Sequence, residues 1–122
     1  MMPNALALAG RGLLALLLLL GAAQKLSDPA PAMQLLAAWG LPPSLVYPAL
    51  AFNAAAGAGL LLGLYTKPLA LLAAAYCAVT SLFHLQPDDP WQMTIFVKNW
   101  AIAGGFLMLG AHGPGKYALR AP

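Results

Sequence analysis

The sequence is short of charge. Only 7% of its 122 residues are charged, and only three of those are acidic. A soluble domain carries about 25% charged residues to dress its surface for water. Too few polar side chains remain here to cover a water-facing surface, so the composition points to lipid as the solvent. Cysteine is scarcer still. Cys77 is the only one, which excludes an internal disulfide, a paired-cysteine redox motif and a cysteine-rich metal site. Its apolar, mid-span setting reads as an inert core residue rather than a reactive thiol. No Lys/Arg run is present, and Lys116 with Arg120 is too sparse for a nucleic-acid patch. The net charge of +3 matters less than where the charges fall. One domain, residues 1–122, accounts for the length, with no room for a separate soluble catalytic module.

What the chain has in excess is apolar residues, 61% of the total. They gather in four stretches, residues 6–23, 45–64, 69–85 and 91–111, each close to the roughly 20 residues a helix needs to cross a hydrocarbon core. Runs of this length exceed any buried strand. Backbone groups in lipid must bond within their own segment, which leaves helices. The expected fold class is therefore all-α, a transmembrane four-helix bundle. The breaks carry helix-ending chemistry. Ser27-Asp28-Pro29 and Gly40-Leu41-Pro42-Pro43 bracket residues 30–39, a segment with Met33, Leu35, Leu36 and Trp39 that is too short to span. It reads as a short interfacial helix between the first and second spans. Tyr65-Thr66-Lys67-Pro68 is a tight turn in which Pro68 opens the next helix. Gln86-Pro87-Asp88-Asp89-Pro90 is the third connection, and Gly113-Pro114-Gly115 stops the last helix. The first span has a second reading as a cleaved signal peptide, from Arg11, the leucine core and Gly21-Ala22-Ala23, although the stretch before Arg11 is apolar rather than charged.

Charge placement sets the expected topology. Four spans put both termini on one side, where Lys67, Lys116 and Arg120 collect with Arg11 close by. Lys25, Asp28, Asp88 and Asp89 fall on the other. Basic residues mark the cytoplasmic face, so both termini are expected in the cytoplasm.

Polar side chains inside spans are costly and mark function by default. Lys98 and Asn99 lie about 10 Å below the outer end of the fourth helix at 1.5 Å per residue. Asn53 lies at similar depth in the second, His84 ends the third, and Gln24 with Lys25 ends the first. All four helices deliver polar groups to the outer half. Tyr76, Thr80 and His84 recur at four-residue spacing, which stacks them on one helical face. Taken alone, Lys25 reads as a lysine snorkelling to the interface, and His84 as a rim histidine on a backbone carbonyl. Lys98 has no carboxylate within the spans to pair it. It must reach up to the outer polar layer, meet Asp88 or Asp89, or face an internal pocket. Arg11 and His112, near the inner face, read as interfacial anchors. The small residues Asn53 and Gly57, Ala55, Gly59 and Gly63, and Ala101 and Gly105 suggest close helix packing. His84 and His112 belong at opposite faces and cannot share one haem iron. No carboxylate or histidine cluster has metal-ligand spacing. No phosphate loop or serine–histidine–acid set is visible, so no residue is nominated as catalytic.

With these pieces in order, the sequence resembles the DoxX family of small four-helix membrane proteins. The resemblance rests on Arg11 with a leucine-rich span ending Gln24-Lys25-Leu26, on Gly40-Leu41-Pro42, and on Gly63-Leu64-Tyr65-Thr66-Lys67. It continues in Phe83-His84, Gln92, Phe96-Val97-Lys98-Asn99-Trp100-Ala101, Gly104-Gly105 and Gly113-Pro114-Gly115. It covers nearly the whole chain. Family polar positions carry over to Lys25, His84, Lys98 and Asn99. Many members place a glutamate where this chain has Asn53, and its loss removes the one intramembrane carboxylate that could neutralise Lys98 or relay a proton. The family takes its name from a membrane subunit associated with thiosulfate:quinone oxidoreductase, and other members are linked to oxidative-stress complexes.

The resemblance implies a subunit of a bacterial inner (cytoplasmic) membrane, working with other membrane protein subunits in the bilayer rather than as a stand-alone enzyme. A quinone is the implied ligand class, held by Lys98, Asn99, His84, Asn53, Thr80 and Lys25, with no covalently bound cofactor and no metal. Without flavin, haem or paired cysteines such a chain binds a quinone but carries no electrons itself. The competing expectation is a non-catalytic accessory or assembly subunit. A small transporter ranks last, since no helix is interrupted at mid-membrane.

Overall fold

The computed structural model describes residues 2–119. It contains five α-helices: α1 (Met2–Ser27), α2 (Ala30–Ala38), α3 (Val46–Leu62), α4 (Thr66–Ser81) and α5 (Pro90–His112). One-turn 3₁₀ segments, Pro43–Leu45 and Leu82–His84, extend α3 at its start and α4 at its end. With those extensions, four helices are long and apolar enough to cross a membrane, and the described residues form no strand. Each of these helices reaches beyond or close to the apolar stretch that announced it. The largest difference is at α1, which runs four residues past the expected 6–23 at each end; α4 starts at Thr66 rather than residue 69, so that Pro68 falls in its first turn. There a missing backbone N–H costs nothing, because that donor has no partner within the helix.

Local chemistry explains the boundaries. Pro90 opens α5, and the Asp89 carboxylate before it accepts from the N–H groups of Trp91 (3.0 Å) and Gln92 (3.3 Å), satisfying two of the donors a helix start leaves open. Gly40 follows α2 at φ +72° and Gly63 ends α3 at φ +77°. This left-handed conformation is the usual close of a helix and suits glycine. The α2 segment buries none of its residues, and its trailing Trp39 meets Phe83 edge-on at 5.8 Å between ring centroids.

The four long helices run up and down in turn around a square. Helix α1 packs along α3 and α4 along α5, while sparser α3–α4 and α1–α5 contacts join the two pairs. The core is built largely from small residues, Ala15, Ala56, Ala70, Ala73, Ala74, Cys77 and Ala103, with Leu18, Leu60 and Phe106 filling between them. In lipid, helices gain no hydrophobic energy by leaving the solvent, so close backbone approach and dispersion must hold them. Gly57 of α3 lies where an added Cβ would be 2.8 Å from the Leu19 side chain and 3.2 Å from the Leu19 backbone nitrogen on α1. On α5 the face turned to α4 carries Ala103, Phe106 and Gly110, whereas Ala101 is exposed and Gly105 instead meets Leu14 of α1. Cys77 is buried in this core.

The start of α1 and the segment after α5 lie at one end of the bundle, the terminal end. After α5 the chain folds back across α1 and α3: Lys116 N–H donates to Asn4 Oδ1 (3.1 Å), and Leu119 N–H donates to the Leu62 carbonyl (2.9 Å). Arg11, expected at the interface, lies 2% exposed beneath this strap. Its guanidinium donates to the carbonyls of Pro114 (2.6 Å), Tyr117 (2.7 Å) and Leu61 (3.4 Å). The cause is depth. Arg11 stands about 14 Å into α1 at 1.5 Å per residue, next to the carboxyl end of α3, whose last carbonyls have no partner in the helix and attract a cation. Arg120 lies outside the described residues.

Gly63 is where the strap and α3 press closest. A Cβ there would overlap Ala118, lying 2.8 Å from its Cα, and φ is positive as well. Gly63→Ala is expected to destabilise the fold by about 2 kcal/mol or more, from left-handed strain and overpacking together. Reversible denaturation in detergent micelles measures this; an unchanged midpoint would show that the strap does not bear on Gly63.

Candidate functional site

At the opposite, distal end, the structure brings together residues from three helices. Lys25 in the last turn of α1 donates from Nζ to Asn53 Oδ1 on α3 at 2.9 Å. The Tyr76 hydroxyl of α4 donates to the same oxygen at 3.3 Å. Both partners are donors toward this atom, and Lys25 can be nothing else, so the amide must turn its oxygen to them. Asn53 is 2% exposed, and the Tyr76 ring stacks at a tilt on Phe52 with 5.1 Å between centroids. Gly21, one turn before Lys25, leaves the room: a Cβ there would stand 3.5 Å from Asn53 Oδ1 and 3.7 Å from Lys25 Nζ.

Lys25 therefore points into the bundle instead of snorkelling outward as expected. The direction of Cα–Cβ bonds supplies the reason. They tilt toward the helix N-terminus, so a lysine in the last turn of α1 leans back into the membrane. Reaching outward would require reversing that tilt.

The remaining expected site residues lie apart from this centre or turn away from it. Thr80 Oγ1 donates to the Tyr76 carbonyl of its own helix at 2.8 Å, which spends its only proton locally. His84 is half-buried and its Nδ1 donates to Gln92 Oε1 at 2.6 Å. In that arrangement Nδ1 carries a proton, since an amide oxygen can only accept. Lys98 is exposed and Asn99 half-buried on α5, and neither side chain hydrogen-bonds within the described residues. Lys98 faces no internal pocket and does not reach Asp89, whose carboxylate already caps α5. Position 53, where a family carboxylate would have been matched to Lys98, instead faces Lys25. His112 is exposed, in keeping with an anchor near the terminal end.

Arg11 and Tyr76 carry more of the polar structure than their sequence settings suggested. A signal for Arg11 exists. Arg11, Ala15, Leu18, Ala22 and Lys25 recur at spacings of four and three along α1, which is one helical face, and the first four are buried. This row, small or cationic at four of its five positions, marks the seam against α3. No metal-binding group of histidine, cysteine or carboxylate residues exists among the described residues.

A four-span helical membrane bundle with a lysine held on a buried asparagine is the class of protein that this fold and site define. The chain belongs to the DoxX family, whose model matches residues 6–86. It is also similar to the inner membrane protein YqjF of Escherichia coli (strain K12), with 31% identity over 96 residues covering 78% of this chain and 74% of that protein. No solved structure matches it. The family match includes Lys25, Asn53, Tyr76, Thr80 and His84 and ends before Lys98 and Asn99.

The Lys25–Asn53 contact is open to a double-mutant cycle with Lys25→Met and Asn53→Leu. A coupling of about 1.5–3 kcal/mol is expected, the usual worth of a hydrogen bond to a charged group. Additive losses in micelle unfolding would show that the ammonium does not rest on the amide.

Proposed function

We propose that this chain is an inner-membrane subunit of a quinone-linked redox or oxidative-stress complex, with both termini cytoplasmic and no redox centre of its own. The observation that carries the reading is the Lys25 ammonium held 2.9 Å from Asn53 inside the distal half of the bundle, with Tyr76 on the same oxygen. A cation held in a bundle by one amide oxygen retains unused donor capacity, since an ammonium has three N–H bonds. A quinone carbonyl is an acceptor suited to it, and the surrounding apolar helices suit an isoprenoid tail. The half-buried His84 adds a second polar group at the same end. Electrons would come from a partner subunit, because the side chains of this chain include no carrier.

The resemblance to an inner membrane protein and the basic terminal end support the membrane and orientation assigned here. One observation favours a second reading, a non-catalytic accessory or assembly subunit. Lys98 is exposed about 12 Å along α5 at 1.5 Å per residue, a place where a charge facing only lipid is costly. A partner helix bearing a carboxylate or carbonyl there would relieve it. In this reading Lys98 and Asn99 belong to an interface and not to a ligand site.

Purification in mild detergent with lipids retained, followed by mass spectrometry of bound quinones and co-purifying proteins, separates the two. Lys25→Met is expected to lose bound quinone and keep partners, whereas Lys98→Ala is expected to lose partners and keep quinone. A stoichiometric complex with no quinone on this chain would overturn the ligand reading and leave the accessory one.

A further inference from the structure

The terminal end of the bundle, remote from the site above, holds a second polar arrangement. Arg11 is 2% exposed, and its three hydrogen bonds go to neutral backbone carbonyls. Its Nε is buried with no partner. Carbonyl oxygens orient a guanidinium but do not neutralise it, so a full positive charge persists where water cannot screen it. Lys67 and Lys116 stand at the same end, with the Lys67 side chain 3.2 Å from the place a Cβ on Gly113 would occupy. The three acidic residues of the chain, Asp28, Asp88 and Asp89, all lie at the distal end. Among the described residues the terminal end thus has a surplus of positive charge and no acidic side chain to answer it.

Beside Arg11 runs a shallow, largely open groove of about 400 Å³, with Leu8, Leu61, Leu62 and Leu119 along it and Lys116 at its rim. All four leucines and Lys116 are exposed. We propose that this groove binds an anionic glycerophospholipid, its acyl chain along the leucines and its phosphate on the exposed Lys116, within the field of the Arg11 guanidinium buried beneath. Charge complementarity selects the headgroup. A phosphodiester supplies the negative charge that the fold itself lacks here, and a basic pocket between helices at the membrane surface is a common lipid-headgroup site. The apolar wall selects a lipid over free phosphate, which would gain nothing from it. The site is independent of the quinone reading, being at the other end of the bundle.

The test uses the whole purified chain, delipidated in neutral detergent and titrated with phosphatidylglycerol, with phosphatidylcholine of the same chains, and with inorganic phosphate. Native mass spectrometry counts bound lipid, and thermal unfolding reports its stabilising effect. One phosphatidylglycerol is expected to be retained and to raise the unfolding temperature, while phosphatidylcholine and inorganic phosphate do neither. Lys116→Gln, a change on an exposed side chain that leaves Arg11 in place, is expected to weaken phosphatidylglycerol binding about fivefold, the usual effect of one basic residue near an anionic headgroup. Lys98→Gln, which removes the same charge from the far half, leaves binding unchanged. Leu62→Trp, which fills the groove without altering charge, is expected to displace the lipid. Equal retention of phosphatidylcholine overturns the proposal, as does equal stabilisation by inorganic phosphate. Equal weakening by the two lysine variants would show general attraction to a basic protein and no site.

Discussion

Positive charge inside this bundle has to be met by neutral oxygen. The chain has three acidic residues, and they sit in the connections at the distal end, so no acidic side chain meets the cations that α1 carries into the membrane. Arg11 is met by the carbonyls of Leu61, Pro114 and Tyr117, and Lys25 by the side-chain oxygen of Asn53. The two lie on one face of α1, fourteen positions and about 21 Å apart at 1.5 Å per residue. Between them the face is Ala15, Leu18 and Ala22, all buried. The α1–α3 seam is thus a short apolar contact clasped by a cation at each end.

Much of the remaining architecture follows from that seam. To bring three carbonyls to Arg11, the chain after α5 must turn back over the bundle. Gly113 and Gly115 at positive φ make the turn, and Gly63 gives it room. To bring an acceptor to Lys25, α3 must approach α1 closely, which Gly21 and Gly57 allow. These contacts serve packing and polar satisfaction together. In lipid that matters twice over, because helix association rests on close approach and an unmet polar group has no water to turn to. The α4–α5 pair is held differently, by alanines, Gly110 and Phe106, with its polar contact confined to His84 and Gln92 at the distal end.

The two ends are chemically distinct as a result. The distal end mixes Lys25, Tyr76, His84 and Gln92 with the acids of the loops, and offers both donors and acceptors to a polar head. The terminal end offers positive charge beside an apolar groove. Polar side chains are concentrated where helices end and loops return.

The apolar runs in the sequence were enough to establish four spanning helices, an α2 segment too short to cross, and the pairing of prolines and glycines with helix ends. Each of these follows from local rules of length, backbone satisfaction and turn geometry. The family resemblance was legible for a similar reason, being carried by short motifs in fixed order. What the sequence could not decide was which face of each helix turns inward. The spans are apolar all round, so amphipathic periodicity, the signal that orients a helix in a soluble protein, is nearly absent. Lys25 read as a snorkelling lysine at a helix end and Lys98 as a candidate for an internal pocket, yet Lys25 enters the bundle and Lys98 is exposed. Arg11 looked like an anchor and proved to be buried, because the carbonyls that receive it come from residues 50, 103 and 106 positions away. Helix direction, neighbour order and the return of the chain end are tertiary facts, and they alone determined where each charge found its oxygen.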